Sequence, residues 1–396
     1  AGLEPPAGTY VSGVEVLMDT YVSRMRAAVD QWCRNIHSAA AGSPPQVDPE
    51  KGRMWSRAAV ELFHTFHEQV DMVKEADTGE LLRRVVGALQ DTMGTFTRLE
   101  RARLAGPAED LGLESLCALV NNAGEAYALA ENLGEALEEI FESGFGSVDL
   151  GPACRGLMDL AKEGVERLLE RVLSDPGVSG VTEQLVAGPP WLSGEVVETL
   201  VATLADYFGD LEAWLDPAWF KRLAEGSLRR VVGLYCDAVA DNVPEPVEIT
   251  AAALRRMDAD EQALSGLFAE HLSSKKTHAL LGPLADLREL AAADSSEAFV
   301  LGYTMVLKGR PALPEVVERF MQSREGVSKR DVREVMHECR EIYASAVAEG
   351  SIPKDHAATA RLGKGKGKES KEEEGGGWLA ALGFAKLKRS KSTRSR

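Results

Sequence analysis

The chain has 396 residues, 44% hydrophobic and 27% charged, the composition of an ordinary folded protein and not of a disordered one. It is longer than the roughly 250–300 residues over which a single hydrophobic core stops growing, so two packed units are expected. The net charge of −17 is uneven: residues 361–396 hold 11 Lys or Arg against four Glu, leaving −24 on the first 360, and so acidic a body argues against nucleic acid as a partner because it repels phosphate.

The first segment carries Val14, Leu17, Met18, Tyr21, Met25, Ala28, Val29, Trp32 and Ile36 at steps of three and four, one broad apolar stripe on a helix. Gly42-Ser43-Pro44-Pro45 ends it, since proline cannot continue a helix and restricts the residue before it. A second stripe runs Trp55, Ala59, Leu62, Phe63, Phe66, Val70, Val73, and a third runs Leu81, Leu82, Val85, Val86, Leu89, Met93, Phe96, Leu99. The pattern continues through 112–141 and 150–174 and breaks at Gly188-Pro189-Pro190, where a domain boundary is expected. Beyond it Val196, Val197, Leu200, Leu204, Tyr207, Phe208, Leu211 and Leu215 form another stripe. Asp216-Pro217 reads as an N-cap followed by a first-turn proline. Ser328 with Asp331 resembles a capping box, opening a helix that ends near Gly350.

No stretch of four to eight residues alternates with period two between turn signals. The expected fold is therefore all-α, a dozen or so helices in stacked bundles. Tertiary packing must hold them, because glycine weakens many of these helices by up to ~1 kcal/mol each relative to alanine. The expected organisation is a disordered stub over 1–9, one helical-bundle domain over 10–188, a second over 189–350, a low-complexity linker over 351–377 and a basic amphipathic tail over 378–396. In the linker, the Gly-Lys repeats of 363–368 and the run from Lys371 to Gly377 hold too little apolar surface to order themselves.

Five cysteines (Cys33, Cys117, Cys154, Cys236, Cys339) lie far apart with no C-x-x-C pair, against a disulfide framework or zinc site. Each falls in an apolar helical pattern, where a free thiol behaves as a small hydrophobe, and a reducing cytosolic setting is expected. No apolar run approaches the ~18–20 residues that cross a bilayer, and the N-terminal segment lacks the apolar block of a signal peptide. The chain opens at Ala1 and not at Met, as expected of a fragment or a processed form.

Chemistry is hard to find. Asn121-Asn122-Ala123-Gly124 looks like the segment of that wording in short-chain dehydrogenases, but that chemistry needs a glycine-rich turn after a strand and a Tyr-x-x-x-Lys pair. Here Leu116, Leu119, Val120, Ala123 and Tyr127 flank it at helical spacing, and a buried helix is expected. His64 and His67, with Glu61 and Glu68 nearby, lack a further ligand that a metal site requires. The Gly-Lys repeats lack the spacing of a phosphate-binding loop. Glu135, Glu138, Glu139 and Glu142 read as a solvated helix face, with an acidic docking surface as the alternative. No catalytic, cofactor-binding or metal residue is assigned, and no cofactor is expected.

Three stretches carry a resemblance. The first is Glu114 to Ala123, ESLCALVNNA; the second runs from Trp191 to Tyr235, with ETLVATLADYFGDLEAWLDP at its centre; the third is Ser328 to Tyr343, SKRDVREVMHECREIY. In wording and order they resemble the C-terminal region of the exocyst subunit called Sec-six, or exocyst complex component three, over roughly residues 10–347. The helices here are richer in alanine and glycine than is usual in that family, and the tail after Ala357 matches nothing in it. The resemblance implies an elongated stack of helical bundles of the multisubunit tethering complex type. It also implies a non-catalytic role: tethering secretory vesicles to the plasma membrane through other exocyst subunits and plasma-membrane SNAREs, from the cytoplasmic side. The alternative is a related membrane-remodelling protein of the same helical module that binds anionic lipid outside the complex. A homodimer of the isolated fragment is a further expectation.

In the tail, Trp378, Leu379, Leu382, Phe384, Ala385 and Leu387 mingle with Lys386, Lys388, Arg389, Lys391, Arg394 and Arg396. A Trp-bearing apolar segment followed by six cations suits an anionic leaflet, where each cation contributes about 1 kcal/mol. Trp378, Leu382, Phe384, Lys386, Lys388, Arg389, Lys391, Arg394 and Arg396 are the candidate membrane contacts. The alternatives are a disordered tail regulated at Ser390, Ser392, Thr393 and Ser395, and a nucleic-acid or nuclear-import segment.

Overall fold

The computed structural model describes residues 7–74, 79–107, 111–141, 149–241, 248–309, 314–322 and 324–352. Among these residues are fourteen helices and one antiparallel ladder two residues deep. They fall into two compact units, Ala1–Arg171 with Asp210–Phe220, and Val172–Gly209 with Lys221–Arg396.

In the first unit the leading helices are α1 (Ala7–Ala41), α2 (Ala58–Lys74), α3 (Gly79–Leu104) and α4 (Leu113–Phe141), followed by α5 (Gly151–Ser174), whose last turn passes into the second unit. Helices α2 and α3 turn their expected stripes inward: Leu62, Phe63, Phe66, Val70, Leu82, Val85, Val86, Leu89, Met93 and Phe96 are buried in one cluster. Phe63 and Phe66 meet edge to face with centroids 5.1 Å apart, the arrangement that ring quadrupoles favour. Each such side chain contributes about 1.5–3 kcal/mol by leaving water.

A loop between α1 and α2 carries the ladder. Its strands are β1 (Gln46–Val47) and β2 (Met54–Trp55), paired Gln46 to Trp55 and Val47 to Met54. Two residues are too few to show a period, so no pattern in the sequence announces them. The turn is built by Asp48, whose Oδ1 accepts the backbone N–H groups of Glu50 at 2.8 Å and Lys51 at 3.0 Å. Those N–H groups hold the Asp48 carboxyl below its usual range, and Gly52 reverses the chain at φ 69°.

The second unit contains α6 (Pro176–Thr182), α7 (Gly188–Ser193), α8 (Glu195–Trp214), α9 (Pro217–Asp241), α10 (Ala251–Ala269), α11 (Ser274–Ala292), α12 (Ser296–Gly309), α13 (Pro314–Gln322) and α14 (Lys329–Ala348). The residues Asp210–Phe220, the end of α8 and the start of α9, belong to the first unit. Pro189 and Pro190 sit in the first turn of α7, where a missing N–H is harmless. Helix α14 opens on the expected capping box: Ser328 Oγ accepts from the Asp331 N–H at 3.2 Å, and Asp331 Oδ2 accepts from the Ser328 N–H at 3.1 Å. Phe208 of α8 meets Phe268 of α10 edge to face at 5.5 Å.

Candidate functional site

The segment Asn121-Asn122-Ala123-Gly124 lies within α4, as the apolar spacing around it requires, and its side chains tie that helix to two others' ends. Asn121 Nδ2 donates to the Met54 carbonyl at 2.7 Å and to the Trp214 carbonyl at 2.8 Å, and its Oδ1 accepts the Asp216 N–H at 2.9 Å. Asn122 Nδ2 donates to Ser56 Oγ at 2.7 Å while its Oδ1 accepts the Ser56 N–H at 3.0 Å. One pair of amides thus fastens β2, the α8–α9 junction and α4 together. Asp216 also caps α9 by accepting the Ala218 N–H at 3.0 Å and pairs with Arg53 at 2.5 Å. These are joints of a scaffold: the amides satisfy backbone groups and the Ser56 hydroxyl.

The second unit has its own polar joint. Asp260 is fully buried, and its carboxylate accepts from Trp191 Nε1 and the Tyr235 hydroxyl at 2.8 Å each and from Arg256 Nε at 2.7 Å. Burial raises the Asp260 carboxyl above its usual range against the pull of Tyr235, Arg256 and Trp191. Burial and the neighbouring Asp260 charge push the Tyr235 hydroxyl well above its own. Gly194, at φ 100°, makes room for the Arg256 guanidinium, since a Cβ there would lie 2.2 Å from Nη1. Both carboxylate oxygens have donors from side chains of α7, α9 and α10, so the group positions helices.

The surface feature of the first unit is a groove of about 430 Å³ between α1 and α2. Met25, Ala28, Val29, Trp32 and Ile36 of α1 form one wall; Glu61, His64, Thr65, Glu68 and Gln69 of α2 form the other. Trp32 is 59% exposed, and Val14, Leu17 and Tyr21 extend the exposed apolar strip along α1. Of the stripe read from the sequence only Met25, Val29 and Ile36 are buried, together with Cys33. From Leu17 to Cys33 the apolar arc spans about 160° of the helix circumference at 3.6 residues per turn, wider than α2 and α3 cover. The sequence signal for the exposed half was that width.

His64 is exposed beside Glu68 at 3.3 Å, while His67 Nδ1 donates to the Phe63 carbonyl at 2.7 Å. Among the described residues no group of three or more His, Cys, Asp or Glu is placed to hold a metal ion. Glu135, Glu138 and Glu139 are exposed; Glu142 lies outside the described residues. None of the five cysteines is in a disulfide, and burial pushes the thiols of Cys33, Cys117 and Cys339 up to about 12. Among the described residues no helix is long and apolar enough to cross a membrane. The candidate membrane contacts from Trp378 to Arg396 lie outside the described residues.

These observations define a protein of helical bundles whose described polar groups lock helices and whose α1 and α2 line an open groove. The family described as "Exocyst complex component Sec6" matches residues 4–329, and the chain belongs to it. The fold is similar to that of the C-terminal domain of the exocyst subunit Sec6p, with a TM-score of 0.73 and 13% identity over 89% of this chain and 96% of that one. It is also similar to M-Sec, with a TM-score of 0.64 and 15% identity over 86% of this chain and 58% of that one. A third match is Myo2-GTD, solved in complex with Mmr1, with a TM-score of 0.50 and 10% identity over 85% and 86%. At these identities the likeness is one of fold.

Proposed function

We propose that the chain works as a non-catalytic subunit of the exocyst, tethering secretory vesicles to the plasma membrane during exocytosis. The observation that carries this reading is the family match over residues 4–329. The polar groups described above support it, because they are spent on holding helices and none forms a nucleophile and base facing a cavity. The work would be done by binding: long helices present many faces, and a few anchors supply most of the affinity. Its partners are other exocyst subunits and plasma-membrane SNAREs, and its place is the cytoplasmic periphery of plasma-membrane sites of exocytosis. Depleting the protein from its own cells tests the reading: secretory vesicles should accumulate beneath the plasma membrane and return to normal on re-expression. Unchanged vesicle numbers and secretion would overturn it.

The basic tail favours a second element. Trp378, Leu382 and Phe384 with Lys386, Lys388, Arg389, Lys391, Arg394 and Arg396 suit contact with anionic phospholipid, either beside the complex or, in the alternative, in a protein that remodels membranes outside it. Liposome flotation of the chain with and without residues 378–396 decides this. Recovery that depends on both the tail and anionic lipid supports it, and equal recovery across lipid compositions removes it.

A further inference from the structure

We propose that the groove between α1 and α2 is a docking site for a basic amphipathic helix of a partner protein. The α1 wall is apolar, and beyond the groove the same face continues: Val14, Leu17, Tyr21, Met25, Ala28 and Trp32 follow one another at steps of three and four. The eighteen residue steps from Val14 to Trp32 make a strip about 27 Å long. Val14, Leu17, Tyr21 and Trp32 are 53%, 70%, 38% and 59% exposed, although an isolated exposed apolar residue is ordinary and a contiguous row is not. A groove that takes another helix offers anchors with this spacing.

The α2 wall is charged. Glu61 and Glu68 line the groove with His64 between them, and Asp71 continues the same edge one turn on. His64 lies 3.3 Å from Glu68, and Arg24 falls by its spacing on the opposite edge of the α1 strip. The field across the groove therefore runs from negative at α2 towards positive at the far edge of α1. It selects an occupant with apolar residues at intervals of three and four and Lys or Arg on the flank that meets α2. A second copy of this chain suits it poorly. Its net charge is −17, and a twofold contact on this face would set Glu61 and Glu68 against their own copies.

The test uses the full 396-residue chain and a fluorescein-labelled synthetic peptide of about 18 residues, matched to the strip. The peptide carries Leu at steps of three and four and Lys along one flank, and its control carries Glu in place of Lys. Fluorescence anisotropy should show binding of the Lys peptide, weakened by salt, and none of the Glu peptide. Trp32→Glu and Leu17→Glu, both at exposed positions where the thermal melt should not move, should each weaken the Lys peptide by about tenfold or more. Joint Glu61→Lys and Glu68→Lys should reverse the preference between the two peptides. Equal binding of both peptides, or equal binding by wild type and Trp32→Glu, would overturn the proposal. So would a dimer seen in sedimentation velocity that Trp32→Glu abolishes, since the occupant would then be a second copy.

Discussion

The Nε1 side of the Trp219 indole approaches Gly124 with no room for a side chain between them: a Cβ on Gly124 would stand 2.5 Å from Trp219 Nε1. The glycine sits inside α4, where it costs helix stability relative to alanine, and the close approach of the indole is its compensation. Gly124→Ala should therefore lower stability by about 1–3 kcal/mol through overpacking, despite alanine's better helix propensity. Trp219→Leu should relieve much of that loss in the double variant. Urea midpoints for the four proteins of this cycle measure the coupling; additivity would contradict the contact.

Three residues earlier in the same helix, Asn121 satisfies two carbonyls and one N–H from distant segments. Asn121→Ala leaves all three without their partner and should cost about 2–4 kcal/mol. Asn121→Asp keeps the acceptor for the Asp216 N–H but cannot donate to the Met54 and Trp214 carbonyls, so it should not restore stability. Recovery of the wild-type unfolding midpoint by Asn121→Asp would show that the two carbonyl bonds contribute nothing.

Asp260 gives a prediction with a pH sign. Asp260→Ala strands the Arg256 guanidinium, the Trp191 N–H and the Tyr235 hydroxyl in a dry interior and should cost about 3–5 kcal/mol. In wild type, burial raises the carboxyl above its ordinary range. The folded state therefore keeps its proton to a higher pH than the unfolded one. That contribution to stability is full below the unfolded value and is lost as pH rises through the folded one. Asp260→Asn does not titrate, so the stability of wild type relative to Asp260→Asn should fall as pH rises from the acid side. Chemical denaturation at several pH values measures it, and a relative stability that increases with pH would contradict the account.

Thiol chemistry checks the burial directly. Cys33, Cys117 and Cys339 are buried, with thiols pushed up to about 12, so the thiolate that reacts is scarce and shielded at pH 8. Ellman's reagent should leave these three unmodified in the native protein and modify them in guanidinium. Cys154, half buried, is the site where native reaction is expected first.

The fold was legible wherever the sequence speaks through local spacing. Most of the stripes of α2 and α3 are buried as read, because a helix between neighbours hides the residues that recur at three and four; Trp55 instead lies in β2, and Leu81 and Leu99 are half-buried. The Asp216 cap and the Ser328–Asp331 box were equally legible, since a cap is made within four residues of itself. What was not legible is long-range register. Trp191 meets Asp260 across 69 positions and Asn121 meets the Met54 carbonyl across 67, and no local pattern encodes such pairs. The exposure of Trp32 was hidden for a related reason. Periodicity shows which face of α1 is apolar but not how many neighbours cover it, and the same spacing that buries Met25 leaves Trp32 open. The two-residue ladder is shorter than any period that would reveal it.

The account's central claim is tested most directly by purifying the tagged protein from its own cells under gentle conditions and identifying what comes with it by mass spectrometry. Other exocyst subunits should be recovered in comparable amounts and should remain through size-exclusion chromatography. Quantitative recovery of the tagged protein free of every other exocyst subunit would contradict the claim.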